Sequence, residues 1–400
     1  MESRDIEAAA ARLQGKIHNI HVSSSQTFSK MSDCELYLKC ENRQKTGSFK
    51  VRGAYNKLAL LKERGGCTQV IASSAGNHAQ GVSYASAQLG MHATIVMPKS
   101  TPIAKVSATS GYGAEVVLAG DNYDESYEAA KAIQERTQAV FIHPFDDEDV
   151  IAGQGTIAYE ILHDLPNADM IVVPAGGGGL LAGISFYAKQ INPRIKIVGV
   201  QAQGADAIVR SFHEGTHCTT TSANTIADGI AVMNPGEQTV KIIAENVDDM
   251  VTVSDDEIAS TILLLLEREK QVVEPAGACS LAAVLNHKID VAGKRVVCVL
   301  SGGNIDMGFI QKIVERGLVA RGRQLQFTTI LPDIPGTLGH FTALLAKTGA
   351  NITVLSHDRM HADLHLNETF VRVTCEVGGR EHGKEVVRTL EENGYRVILD

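Results

Sequence analysis

A chain of 400 residues, 44% of them apolar and with a formal charge of −9, is long enough for two or three domains with sizeable cores. No basic tract, no apolar run of membrane-spanning length and no secretory leader pattern is present, which argues against nucleic-acid and membrane partners and makes the cytoplasm the default setting. The seven cysteines are scattered without Cys-x-x-Cys spacing and read as ordinary thiols rather than zinc or redox ligands.

In chain order, Ile6, Ala9, Ala10, Leu13 and Ile17 predict an amphipathic helix over 5–17, and the polar run 23–27 reads as a loop. The alternating run 36–40 predicts a strand. Next comes Lys45-Thr46-Gly47-Ser48-Phe49-Lys50-Val51-Arg52-Gly53-Ala54-Tyr55, which opens a segment with Val51, Ala54, Tyr55, Leu58 and Leu61 on one helix face. Lys50 therefore stands at a helix start, where free N–H groups and the positive dipole end disfavour an ammonium and should lower its pKa. An ordinary lysine is a solvated cation, but one held neutral is a nucleophile toward a carbonyl.

Beyond Lys50, short β-rich runs at 69–72, 93–97, 115–118, 170–174, 196–200 and 295–300 alternate with helical patterns. The alternation predicts βαβ units, an α/β fold with parallel sheets, and a ligand crevice at the carboxyl ends of the strands. Three of those ends carry suggestive residues. Ser73-Ser74-Ala75-Gly76-Asn77-His78 combines small residues with donors beside new helix N–H groups, and reads either as a carboxylate site or as a helix cap. Gly176, Gly177, Gly178 and Gly179 cost backbone entropy and have no evident packing use, so a backbone cradle for a phosphate is the sensible purpose. The glycines also fit a dinucleotide fingerprint, but the next strand ends at Val200-Gln201 without the acidic residue that a ribose needs, and no Walker lysine follows. Ser301-Gly302-Gly303 follows the last strand and by itself could be a plain turn.

Taken in order, Ser48-Phe49-Lys50-Val51-Arg52-Gly53-Ala54, Ser74-Ala75-Gly76-Asn77-His78, the tetraglycine with Leu180 and Leu181, and Ser301-Gly302-Gly303 resemble the motifs of fold-type II pyridoxal-phosphate enzymes, the serine/threonine dehydratase family in particular. The strings around Asp228 and Glu274 match as well; read alone, either residue could simply cap a turn or end a helix. The resemblance implies two parallel-sheet αβα subdomains within a catalytic region 1–320, the smaller over roughly 45–148, and pyridoxal 5'-phosphate as cofactor. It implies that Lys50 carries the cofactor and takes the Cα proton, and that Phe49 packs near the ring. Asn77 would bond the ring hydroxyl, Gly176, Gly177, Gly178, Gly179 and Leu180 the phosphate, and Ser301 the pyridine nitrogen. Ser74, Ala75, Gly76 and His78 would hold the substrate, while Asp228 and Glu274 would wall the site. A serine leaves the ring nitrogen unprotonated, a weaker electron sink that suits elimination over transamination.

The implied activity is β-elimination from L-threonine and L-serine to a 2-oxo acid and ammonia. Another β-hydroxy amino acid lyase or a racemase stays open, as does a non-catalytic amino-acid sensor. Serine racemase carries a serine where this chain has Ala75, and its metal carboxylates map onto a region with Gln201 and Ala207, so no divalent metal is expected.

Arg316, Gly317, Arg321, Gly322 and Arg323 read as a polar, flexible stretch, with the linker at 321–325. Residues 326–400 then read as a βαββαβ unit with helices at 337–349 and 381–393. Such a unit could be merely an oligomerisation module. Its 331–338 and 350–352 strings resemble an ACT regulatory domain, which binds small ligands, usually amino acids, between subunits. That implies an effector, a branched-chain amino acid being the expectation, at Asp333, Gly336, Thr337, Asn351 and Ile352 in a homodimer or homotetramer.

Overall fold

Strands such as Met170–Pro174 are apolar on both faces, and the computed structural model, which describes residues 1–359 and 365–399, buries them accordingly in the middle of a sheet. That sheet has six strands in the order Ser23–Ser24, Glu35–Cys40, Arg295–Leu300, Met170–Pro174, Lys196–Ala202 and Asp249–Val253, all parallel except the first pair. A second, wholly parallel sheet runs Glu115–Leu118, His92–Met97, Gln69–Ser73, Val140–Phe141. Each sheet carries its own apolar core, the larger centred on Ile171, Val173, Leu181 and Ile197, the smaller on Leu58, Val70, Val82 and Ile95. Both belong to one compact unit, Met1–Ile305.

Some expectations change. The first helix is Ser3–Leu13, shorter than expected. Residues 23–27 are not a loop: Ser23–Ser24 pairs with the next strand, and the Ser25 hydroxyl accepts from the Phe28 N–H to cap the helix Gln26–Ser32.

The helix Lys50–Arg64 begins where two short 3₁₀ turns leave the strand Glu35–Cys40. Its start is anchored by Arg52, whose guanidinium is fully buried. Nε and Nη2 each donate to Glu41 at 2.8 Å, and Nη1 and Nη2 donate to Glu160 at 2.7 and 2.8 Å. Lys39, equally buried, pairs with the same Glu160. Glu160 lies on the helix Glu148–Asp164, which packs so closely that a Cβ at Gly153 would come within 2.6 Å of the Arg52 carbonyl.

The unit Asp306–Asp400 opens with the helix Met307–Ala320. Arg316 and Gly317 lie inside that helix rather than in a flexible stretch, and the break is confined to residues 321–323, where Gly322 takes φ 64°. The expected βαββαβ order follows. A four-stranded antiparallel sheet, ordered Asn351–Asp358, Glu368–Glu376, Gln324–Pro332, Ile398–Leu399, is crossed by the helices Thr337–Lys347 and Arg380–Glu392. Phe327, Phe341, Val371, Val386 and Leu390 form its core. Gly336, at φ 93°, precedes the first residue Thr337, and Asp333 is paired with Arg359 at 2.8 Å. Asn351 and Ile352 begin the edge strand. Residues 360–364 and 400 of this span lie outside the described residues.

Replacing Arg52 with methionine strands the buried Glu41 carboxylate and leaves Glu160 with Lys39 alone. Denaturant titration should put the variant about 3–5 kcal/mol below wild type; a loss under about 0.5 kcal/mol would mean that the cluster does not anchor the helix.

Candidate active site

Each of the three strand ends singled out above delivers its residues to one cavity of about 640 Å³. Gln69–Ser73 leads to Ser74, Ala75 and Gly76 and then to the helix Asn77–Leu89; Met170–Pro174 leads to the glycines and the helix Gly179–Ile191; Arg295–Leu300 leads to Ser301. Phe49 and Lys50 enter from the helix start. All of these line the cavity, as do His78, Leu180, Asp228 and Glu274.

Lys50 is the first residue of its helix, and its Nζ donates to the Pro144 carbonyl at 2.8 Å, 5.3 Å from the centre of the Phe49 ring. Its amine lies deep in the protein, and that burial, opposed by the nearby Glu274, brings its pKa down to about 8. The direction agrees with the expectation; the leading cause is desolvation rather than the helix start. Glu274 moves the other way. Burial, with Asp228 adding to it against the pull of the Asn77 bond, pushes its carboxyl up to about 8. Asn77 Nδ2 donates to Glu274 Oε1 at 2.7 Å.

Asp228 opens a 3₁₀ turn, Asp228–Ile230, and pairs with Lys105 at 3.1 Å on the cavity rim. The His78 ring is buried against the Ile142 carbonyl at 2.9 Å and neutral, its pKa taken to about 3 chiefly by burial. Its side chain is thus committed to the backbone, and a contact to substrate from this position falls to the main chain.

The glycines do have a packing use, contrary to expectation. A Cβ at Gly177 would lie 2.3 Å from the Phe145 ring, one at Gly179 2.8 Å from the Phe145 carbonyl, and one at Gly176 2.9 Å from Ile230. Gly178 adopts φ 96°, which favours glycine on its own account. The walls therefore close on this loop, and the first turn of the helix that follows has N–H groups with no intrahelical partner.

Sequence reasoning missed His143, Pro144, Phe145, Lys105 and Asn304. The first three follow Val140–Phe141, a strand too short to register as an alternating pattern. His143 Nδ1 accepts the N–H groups of Asp146 and Phe145 at 2.8 and 3.3 Å, so its ring proton sits on Nε2. Burial lowers its pKa, and it too is neutral. Gln201 Oε1 accepts from the N–H groups of Ile208 and Val209, both at 2.9 Å, at the start of the helix Ala207–Glu214.

These donors suit pyridoxal phosphate from end to end. A desolvated amine suits its aldehyde, a glycine-lined helix start its phosphate, the Asn77 amide its ring hydroxyl and the Ser301 hydroxyl its ring nitrogen. The family model described as pyridoxal-phosphate dependent enzyme matches residues 14–302.

The chain belongs to that family.

Over 395 residues it is 45% identical to the L-threonine ammonia-lyase of Thermotoga maritima, covering 99% of this chain and 98% of the relative. Among solved structures, the T.th. threonine deaminase superposes with a TM-score of 0.72 at 40% identity, covering 76% of this chain and 98% of its own. Maize serine racemase superposes at 0.74 with 35% identity, covering 80% and 98%. This enzyme therefore has the fold-type II architecture and uses pyridoxal phosphate.

A carboxyl that titrates near 8 in the fold and near 4.5 unfolded contributes stability that is complete below pH 4.5 and lost as the pH rises toward 8. Relative to Glu274→Gln, the wild-type apoprotein should lose stability between pH 5 and 8, at up to about 1.4 kcal/mol per pH unit. Stability curves that run parallel over this range would show that Glu274 is not held protonated.

Proposed function

We propose that this enzyme is an ammonia-lyase that converts L-threonine to 2-oxobutanoate and ammonia, with L-serine, giving pyruvate, as a second substrate. The observation that carries the reading is the joint presence, in one cavity, of a buried amine of lowered pKa, a glycine-lined helix start, Asn77 and Ser301, with the methyl of Ala75 among them. The L-threonine ammonia-lyase of Thermotoga maritima, which aligns over 99% of the chain, supports the same substrate.

Bound pyridoxal phosphate supplies the electron sink for a carbanion at Cα. Lys50 is both its anchor and the base for the Cα proton, a task that an amine titrating near 8 performs at neutral to slightly alkaline pH. The Pro144 carbonyl orients Nζ without adding charge. Gly176, Gly177, Gly178, Gly179 and Leu180 hold the phosphate, and Ser301, being uncharged, brings no carboxylate to the ring nitrogen. The loop from Ser74 to Asn77 holds the substrate carboxylate, and Asp228 and Lys105 close the rim.

Maize serine racemase as a structural neighbour favours a second reading. Inverting Cα needs a proton donor on the face opposite Lys50, and Ala75 has none to give. L-threonine, L-serine and 3-hydroxyaspartate, each assayed for oxo acid and for D-isomer, separate the two readings: oxo acid should dominate, and D-isomer as the main product would make the enzyme a racemase. Lys50→Ala should lose at least about a thousandfold in turnover, as expected for removal of a residue that combines nucleophile and base. It should also no longer retain cofactor through borohydride reduction and denaturation. Near wild-type turnover in that variant would sink the assignment.

The C-terminal unit reads as an ACT-type module that binds an amino acid, most readily a branched-chain one, at the Asp333–Thr337 turn and the strand start Asn351-Ile352. Ligands of such modules lie between two copies, so the active form is a homodimer or homotetramer whose arrangements the effector distinguishes by affinity. A chain ending at residue 320 should bind cofactor and turn over threonine without responding to isoleucine or valine. Full-length enzyme whose kinetics no amino acid alters, or a truncated chain that responds as the intact one does, would refute the module's role.

A further inference from the structure

A backbone carbonyl decides which way the Asn77 amide points. Thr46 sits at φ 61°, ψ 10°, a left-handed conformation that strains a β-branched residue, and Gly47 follows at φ 71°. From this turn the Thr46 carbonyl accepts from Asn304 Nδ2 at 2.7 Å. A carbonyl only accepts, so the Asn304 atom facing it must be the amide nitrogen. The same nitrogen donates its other hydrogen to Asn77 Oδ1 at 2.7 Å, and Asn77 Nδ2 donates in turn to Glu274 Oε1 at 2.7 Å. Gly47 belongs to the arrangement, because a Cβ there would lie 2.4 Å from Asn304 Oδ1.

Glu274 cannot set this direction alone. A carboxyl that keeps its proton can donate to an amide oxygen as well as accept from an amide nitrogen, so it accommodates Asn77 in either orientation. Thr46 and Asn304 break the tie: the reversed Asn77 amide would set its NH₂ against that of Asn304.

We propose that Asn304 is a positioning residue which, anchored on the Thr46 carbonyl, locks the Asn77 amide so that its second N–H stays available to donate to an oxygen of the bound cofactor. The inference rests on reading the cavity as a pyridoxal-phosphate site, and not on which amino acid is the substrate. A fixed donor to a ring oxygen stabilises the ionised form of that oxygen and lowers its pKa. Glu274 is the titratable group in contact with Asn77, and Lys50, Asp228 and Lys105 are the charged groups that act on Glu274; substituting Asn304 leaves all four in place.

The experiment follows the visible absorbance of the cofactor-loaded enzyme against pH, together with cofactor affinity by equilibrium dialysis, in wild type, Asn304→Leu, Asn77→Ala and the double variant. Asn304→Leu should raise the midpoint of the absorbance change by about half a pH unit or more and weaken cofactor retention about tenfold. In the Asn77→Ala background it should add nothing, because a residue that acts through Asn77 has no target there. Should Asn304→Leu fail to accumulate folded, Asn304→Ala, smaller, uncharged and unable to donate, is expected to shift the midpoint in the same direction. Wild-type midpoints in the Asn304 variants, a full additional shift on the Asn77→Ala background, or a wild-type protein that takes up no cofactor each overturn the proposal. L-Threonine turnover is measured separately. Shifts without turnover uphold Asn304 and sink the threonine assignment, whereas turnover without shifts does the reverse.

Discussion

The buried Arg52 guanidinium is the constraint on which the rest of this enzyme's site depends. It bonds two carboxylates from different parts of the chain, Glu41 just after a strand of the large sheet and Glu160 on the helix that packs across it, and Thr156 accepts a further N–H at 3.1 Å. A charge with no route to water tolerates little displacement, because a broken bond strands an ion in a poorly polarisable interior. Arg52 stands two residues from Lys50, so the cluster that holds one also fixes where the other begins its helix. The near contact of Gly153 with the Arg52 carbonyl leaves that helix little room to slide.

Burial disfavours every charge here, yet it has two opposite outcomes within a few residues. Arg52 keeps its charge: burial works against it, yet Glu41 and Glu160 outweigh the cost and raise its pKa. Lys50, part-buried on the cavity wall, bonds a neutral carbonyl at Pro144 and loses basicity instead. Glu274 bonds a neutral amide at Asn77 and loses acidity for the same reason. The contrast separates a structural ion cluster from a reactive site by the partner each charge is given. Paired charges stay ionised and rigid. Charges whose hydrogen-bond partners are neutral groups shift toward the neutral forms that proton transfer requires.

The parts of the site visible in the sequence were those in which consecutive residues carry the chemistry. Lys50 in its string, the loop ending at Asn77, the four glycines and Ser301 each follow a strand long enough to be recognised by its apolar run. His143, Pro144 and Phe145 follow a strand of two residues, and such a strand has no period to detect. Asn304 directly follows the Ser301 turn yet was missed, because its role lies in contacts with Thr46 and Asn77, which stand far from it in the chain. The glycine loop was read for its backbone alone; that Phe145 and Ile230 press on it depends on how the two sheets face each other. Arg316 and Gly317 looked like a linker by composition, yet they continue a helix through local hydrogen bonding that a polar, glycine-containing string can still sustain.

The amino-acid sequence by itself determined the α/β alternation, the order of the motifs and the βαββαβ pattern of the C-terminal unit, because each is written in the period and chemistry of neighbouring residues. Only the tertiary structure decided that burial rather than the helix start lowers the Lys50 pKa, that burial pushes the Glu274 carboxyl toward its protonated form, and that a carbonyl at Thr46 orients an amide at Asn77. Those outcomes depend on which groups from distant segments meet without water between them. Local sequence carries no record of that exclusion.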